Sequence, residues 1–331
     1  MVSTATSILD SIYILQGALT PLAPVPNGNA QSMAIDLKCQ AGKRSLLLPS
    51  PLIVRNTSSR QLGPHWRSFC SLLCKQRLPV YSPVAELESL PTASIPLRFA
   101  QQFINEPLDP TEIHTADAFE LIMRERATGR WGWSSEVGRN RLASFVSAVR
   151  CASGGEVPIG VGLPLEAQRD DVQAALDAGV DFLTLEAGAG VFTRLHLQGL
   201  LLARRACKEN RLDGLPIFVD LPLRSMDAVA KLIALGASCV AIDPLIETLL
   251  PKPTKSRGNV AMGSGMLSGI AVANQAEVAP LHDLEQMLGR QLLSVSQSMQ
   301  RCGAARLSEL DLSQLWTSDQ DLQRMLSAHS G

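Results

Sequence analysis

Between Val157 and Pro244 the chain alternates short apolar runs with segments of helical period. Four runs (VPIGVGL, VDFLTLEA, LPIFVDL and SCVAID) are nearly uninterrupted by polar residues. Runs this continuous are buried on both faces, the habit of parallel strands covered by helices. They predict strands near 157–163, 181–186, 215–220 and 238–242. Between them Val172, Ala175, Leu176 and Gly179 recur at three- and four-residue steps, as do Val229, Leu232, Ile233 and Gly236. Those steps give one apolar helical face, so Val229, Leu232 and Ile233, with Val240 and Ile242 on the next strand, are expected in the core.

The first half carries the same alternation more weakly. Ser45 to Val54 (SLLLPSPLIV) is strand-like, with prolines that place it at a sheet entry or an irregular strand, and Gly63 to Arg77 reads as a helix. Leu78 to Tyr81 and Ile95 to Ala100 read as short strands, while Ala116 to Met123 fits strand or helix. Gly138 to Ala152 has helical period and stops before Gly154-Gly155. Four strands upstream and four downstream favour a closed (β/α)8 TIM barrel over an open doubly wound sheet. Outside it, Ser7 to Ala23 suggests a docked amphipathic helix, and Pro21 to Gln31 a connector. Pro251 to Ala273 reads as a mobile loop, His282 to Cys302 as a long helix, and Leu307 to Leu315 as the start of a second. The expected division is an N-terminal extension over 1–44, the barrel over 45–250, the mobile loop over 251–280 and a C-terminal helical tail over 281–331.

Composition narrows the function classes. The 331 residues are 46% hydrophobic but only 4% aromatic, so the core must be mainly aliphatic. A net charge of −1 supplies no basic excess for nucleic acid. The segment from Ser7 lacks the basic flank of a signal peptide and the length of a membrane span. Seven scattered cysteines without a C-x-x-C pair suggest neither a zinc site nor a disulfide framework, and a cytoplasmic setting is expected. Cys70 and Cys74 read as small packing residues rather than metal ligands.

Several short segments carry a resemblance. Ala116-Asp117-Ala118-Phe119-Glu120-Leu121, Pro158-Ile159-Gly160-Val161-Gly162-Leu163, Val180 to Leu185, Ala187-Gly188-Ala189-Gly190 and Leu235-Gly236-Ala237-Ser238 follow one another in order. A long helix, Gly303 and the Leu307–Leu312 segment close the pattern. Over roughly residues 45–315 the chain resembles the FMN-binding barrel of glutamate synthase and its free-standing relatives. That resemblance implies a (β/α)8 barrel, FMN at its mouth, and oxidoreductase chemistry on CH–NH2 donors.

The departures fall on the flavin site. Barrels of this kind hold the cofactor phosphate on backbone N–H groups after the seventh and eighth strands. The family's DGG turn is Asp220-Leu221-Pro222 here, adding a side chain and deleting a donor. The family's glycine after the eighth strand aligns with Asp243, an acid where a dianion would sit. The lysine that relatives place near the flavin ring aligns with Gly162. The loop after Ala116–Leu121 is shortened to Arg124–Glu136, and no cysteine occurs between Pro244 and Ala279, so no iron–sulfur cluster is expected.

The residues nominated for the ligand mouth are Glu186, Gly188, Gly190, Asp220, Arg224 and Asp243. Glu186 fits a general base or ligand acceptor as well as it fits a solvated strand end. Asp220 is read first as a cap for a helix near Ser225, and second as a ligand group. Arg224 offers a guanidinium for an anion, against the commoner surface arginine. His196 reads as a surface or packing residue, Trp131 and Trp133 as residues that stack on a ring or form a local plug, and Lys252, Lys255 and Arg257 as a solvated loop. Three readings follow: an active FMN oxidoreductase of the glutamate synthase type, a barrel that has lost FMN and serves as an interaction or regulatory partner for another protein, and a barrel for another small-molecule ligand; a homo-oligomer is compatible with each.

Overall fold

The structure, a computed structural model, describes residues 7–15, 33–39, 45–88, 90–125, 131, 136–167, 169–188, 191–223, 228–249, 269–302, 304 and 306–329. In chain order the strands are β1 (Ile12–Ile14), β2 (Ile35–Lys38), β3 (Ser45–Leu48), β4 (Leu52–Ile53), β5 (Val80–Tyr81) and β6 (Arg98–Phe103). They continue as β7 (Ala118–Ile122), β8 (Ile159–Pro164), β9 (Phe182–Glu186), β10 (Ile217–Asp220), β11 (Cys239–Ala241) and β12 (Leu315–Thr317). The helices begin with α1 (Ser59–Leu62), α2 (Trp66–Gln76), α3 (Val84–Leu87), α4 (Pro110–Thr115), α5 (Glu136–Ala152) and α6 (Arg169–Asp177). After them come α7 (Arg194–Glu209), α8 (Ala228–Ala234), α9 (Asp243–Leu249), α10 (Gly269–Arg301) and α11 (Gln320–His329).

Strands β4 to β11 form one eight-stranded parallel sheet in the order β4-β11-β10-β9-β8-β7-β6-β5. A parallel bridge from Val54 to Val80 joins the two ends. There Val54 N donates to Pro79 O at 3.0 Å and Tyr81 N to Val54 O at 2.8 Å. The ring therefore closes, and the fold is the (β/α)8 TIM barrel expected from the alternation. The four later strands match expectation within a few residues, and Ala116 to Met123 resolves as strand β7. Val229, Leu232, Ile233, Val240 and Ile242 are all core residues.

Four local expectations are corrected. Ser45 to Val54 is two strands: Ser45–Leu48 pairs antiparallel with β2, and only Leu52–Ile53 enters the barrel. Pro49-Ser50-Pro51 separates them because proline cannot donate to a ladder. In place of a helix, the described part of Ser7 to Ala23 is a 3-10 turn, Ile8–Ser11, followed by β1. Buried Ile12 and exposed Tyr13 alternate as a strand does, and β1 pairs antiparallel with β12. Leu307 to Leu315 holds two short 3-10 turns leading into β12 rather than a helix start. Residues 269–273, read as loop, already belong to α10; 251–268 lie outside the described residues. Among the described residues no helix is long and apolar enough to cross a membrane.

Candidate functional site at the barrel mouth

Adjacent parallel strands set paired residues on the same face, so the register identifies the barrel interior. Phe99 pairs with Ala118 and Gln101 with Glu120; Glu120 pairs with Gly160, and Gly162 with Thr184. Glu186 pairs with Asp220. Reading up these strands gives two layers of different chemistry. The lower layer is aromatic: Phe182 stacks on Phe218 at 4.9 Å, and Phe99 lies 6.0 and 6.3 Å from them. Gly160 makes this packing fit, because a Cβ there would run into the Phe182 ring.

The upper layer, at the C-terminal ends of the strands, is ionised. Arg55 follows β4 by two residues, so it shares the inward parity of Ile53. It is only 4% exposed. Its Nη2 meets Glu120 and, at 2.6 Å, Glu186; its Nη1 meets Asp220 at 3.0 Å. Glu186 and Asp220 are register partners, and like charges side by side repel. The guanidinium between them removes that conflict. Glu120, fully buried, also accepts from the Tyr81 hydroxyl and from Thr184 Oγ1 at 2.8 Å. Gly162 is open by necessity: a Cβ would lie 2.8 Å from Glu120 Oε1, 3.2 Å from Glu186 Oε1 and 3.5 Å from Arg55 Nη2.

Asp243 completes the rim from the eighth-strand side. Its carboxylate accepts from the backbone N–H groups of Arg55, Asn56 and Thr57, each at 2.8 Å, and from Thr57 Oγ1 at 2.7 Å. Successive N–H groups converging on one point make an anion-binding nest, and here the chain supplies the anion itself. Further out, Asn56 Nδ2 donates to Asp220 at 2.8 Å. Arg124 stands 3.4 Å from Glu186, with its guanidinium over Trp131 and Phe103.

Burial works against the charge on Arg55, but Glu120, Glu186 and Asp220 outweigh it and hold its pKa well above the arginine value. Burial raises Glu120; Arg55 pulls the other way, and Glu186 adds to the rise. Burial and then Asp220 raise Asp243, against its hydrogen-bond donors. Tyr81 is raised by burial and by the Glu120 carboxylate. The cluster can therefore hold protons on carboxyl groups above their usual range.

Of the six nominated residues, the fold brings Glu186, Asp220 and Asp243 together. Asp220 bonds to Arg55 and Asn56; its reading as a cap for a helix near Ser225 involves residues 224–227, which lie outside the described residues. Gly188 is exposed with open space around it and takes no part. Gly190 and Arg224 lie outside the described residues, as do Trp133, Lys252, Lys255 and Arg257. His196 packs: its Nδ1 accepts from Thr193 N at 3.1 Å, so Nε2 carries the proton and donates to Glu166 at 2.7 Å. Leu221 and Leu223, on the turn after β10, are buried in the core. Cys70 is buried on α2 as a packing residue.

Arg55, Tyr81, Glu120 and Thr184 were missed. The available signal was a polar residue at inward parity inside a buried strand. Glu120 in AFELI and Thr184 with Glu186 in FLTLE both show it.

No protein-family model matches the chain, and a search of curated proteins finds no relative. Solved structures do match. A mandelate oxidase variant with benzaldehyde superposes with TM-score 0.62 at 16% identity, covering 94% of this chain and 88% of that one. A variant of the same enzyme with a monooxide FMN adduct gives 0.59 at 15%, with the same coverage. A flavocytochrome b2 double variant with sulfite bound gives 0.59 at 16%, covering 94% of this chain and 77% of that one. At such identity the likeness is one of fold: this chain has the barrel on which those flavin proteins are built.

Proposed function

We propose that this chain is a divergent barrel of the glutamate synthase type that retains the flavin-binding scaffold, carries little or no FMN, and has little or no oxidoreductase activity. The observation that carries this reading is Arg55, drawn into the mouth and held by Glu120, Glu186 and Asp220. Arg55 and Arg124 stand against Glu120, Glu186, Asp220 and Asp243, so the space is negative while the carboxylates are ionised. At an effective dielectric of ~20, two unit charges ~4 Å apart repel by ~4 kcal/mol, so a phosphate dianion or a reduced flavin anion is disfavoured there. The nest at Arg55 to Thr57 is already filled by Asp243, and Leu221 and Leu223 are packed inward after β10. On this reading the mouth residues do not fit the cofactor, and the protein acts as a scaffold for a protein partner.

Calorimetric titration of the purified protein with FMN tests it. The expected result is a colourless protein with no stoichiometric binding. Tight one-to-one binding overturns the reading and restores the alternative, an FMN oxidoreductase acting on CH–NH2 donors.

A second reading has an observation of its own. Arg55 Nε and Gln101 Nε2 are buried donors without an acceptor among the described residues. Such donors call for an acceptor, so a small neutral ligand with carbonyl or hydroxyl oxygens suits the mouth better than an anion does. Saturable binding of such a compound, lost in Gln101→Leu, would favour it.

A further inference from the structure

The face opposite the mouth carries a cavity of about 490 Å³. Asp181, Pro216 and Ser238 line it from just before β9, β10 and β11, which places it at the N-terminal ends of the strands. The β2 strand and the turn at 306–308 form its other walls. Its volume lies in the range of ordinary small-ligand pockets. Neither the FMN resemblance nor the ion cluster at the mouth accounts for it.

Its charges are unevenly matched. Lys38 stands 3.9 Å from Asp36, and Asp181 is taken by Arg150 at 3.4 Å and by the Ile159 N–H at 2.8 Å. Among the described lining residues this leaves Arg204, Arg211 and Arg306 against Asp213, an excess of two positive charges once Asp181 is counted with Arg150. Two of the three arginines are placed by unusual backbone. Gly236, at φ 107°, leaves room for the Arg204 stem, whose Cγ would be 3.3 Å from a Cβ there. Arg204 Nη1 then donates to Asp213 O at 2.8 Å, which fixes the guanidinium at the cavity wall. Arg211 follows Asn210, the C-cap of α7, at φ 60°, a left-handed position where glycine or asparagine is usual. A long cationic side chain there keeps a backbone penalty that glycine would remove.

We propose that this cavity is a binding site for a dianionic ligand of the phosphate-monoester class, gripped by Arg204, Arg211 and Arg306. Guanidinium groups match phosphate oxygens in planar, two-pronged fashion, and an excess of two charges suits a dianion. The site is independent of whether the mouth takes FMN.

The test is thermal unfolding and calorimetry of the full chain with inorganic phosphate and with glycerol phosphate, against sodium chloride at equal ionic strength. Citrate serves as a carboxylate control. The expected result is a saturable rise in Tm with either phosphate and not with chloride or citrate. Arg211→Gly is the informative variant, because it removes the cation while relieving the backbone. It should keep or raise the Tm of the free protein and weaken phosphate binding about tenfold or more. Arg306→Ala should weaken binding similarly. No saturable response to either phosphate, a response to citrate alone, or undiminished binding in both variants would each overturn the proposal.

Discussion

The two interior layers of the barrel share strands, parity and burial, yet differ in every chemical respect. Phe99, Phe182 and Phe218 fill the lower half with rings in contact, and Gly160 stands aside for them. One register step higher, Gln101, Glu120, Thr184 and Asp220 replace them, and Arg55 stands among the carboxylates. Hydrophobic burial drives the lower layer, and no partner there is obligatory. In the upper layer each group is costly without the others, because a buried charge must be paired. A fold does not need such a layer for stability, since an apolar filling of similar volume serves as well or better. Its position at the mouth, where barrels place their sites, makes it the candidate site space.

That contrast can be broken most directly at Arg55. Arg55→Met leaves Glu120 buried with its main countercharge gone, and the expected loss is about 3–5 kcal/mol by urea denaturation at neutral pH. The double change with Glu120→Met should recover most of it. A single-variant loss below about 1 kcal/mol would mean that water reaches the cluster and that the layer is not core-like. In the lower layer Phe182→Ala should also cost about 3–5 kcal/mol, through cavity formation, but no charge change elsewhere should rescue it. Gly160→Ala should cost less, about 1–3 kcal/mol, by forcing the Phe182 ring aside. Combining it with Phe182→Leu should be milder than the sum of the two, read from the same denaturation curves.

The same contrast explains what was legible in the sequence. Strands β8 to β11 stood out because VPIGVGL, VDFLTLEA, LPIFVDL and SCVAID are apolar on both faces. The first barrel strand did not, since Leu52–Ile53 is two residues long and sits behind Pro49-Ser50-Pro51. Local pattern also missed β1, whose partner β12 lies some 300 residues away. Of the site, the strand-end acids Glu186, Asp220 and Asp243 were readable from position alone. Arg55 was not: it follows a strand of only two residues, and only barrel closure brings it near Glu120, 65 residues on. The resemblance aligns Gly162 with a lysine of the relatives. The structure adds the reason, because Glu120 and Glu186 border that space and Arg55 brings a cation there from the first strand.

The mildest test concerns protons. Glu120 and Asp243 are carboxyl groups whose folded pKa values lie above the ordinary value, chiefly through burial. In the window between the unfolded value, about 4.3 for glutamate, and the raised folded value, the native state holds more protons than the unfolded chain. Stability from such a group is complete below the unfolded pKa and is lost as pH rises through the folded one. This is the reverse of a surface carboxylate such as Asp319, whose folded pKa is lowered by the Leu322 N–H and then by Arg194, and whose contribution disappears on acidification. Glu120→Gln mimics the protonated form and keeps an oxygen for Tyr81 and Thr184. The stability difference between wild type and this variant should therefore drift against wild type as pH rises above about 5, by at most about 1.4 kcal/mol per pH unit. Urea midpoints at pH 5, 6, 7 and 8 would measure the drift. A constant difference would mean that Arg55 keeps Glu120 ionised throughout, and that the upper layer is a fixed ion cluster with no proton of its own to exchange.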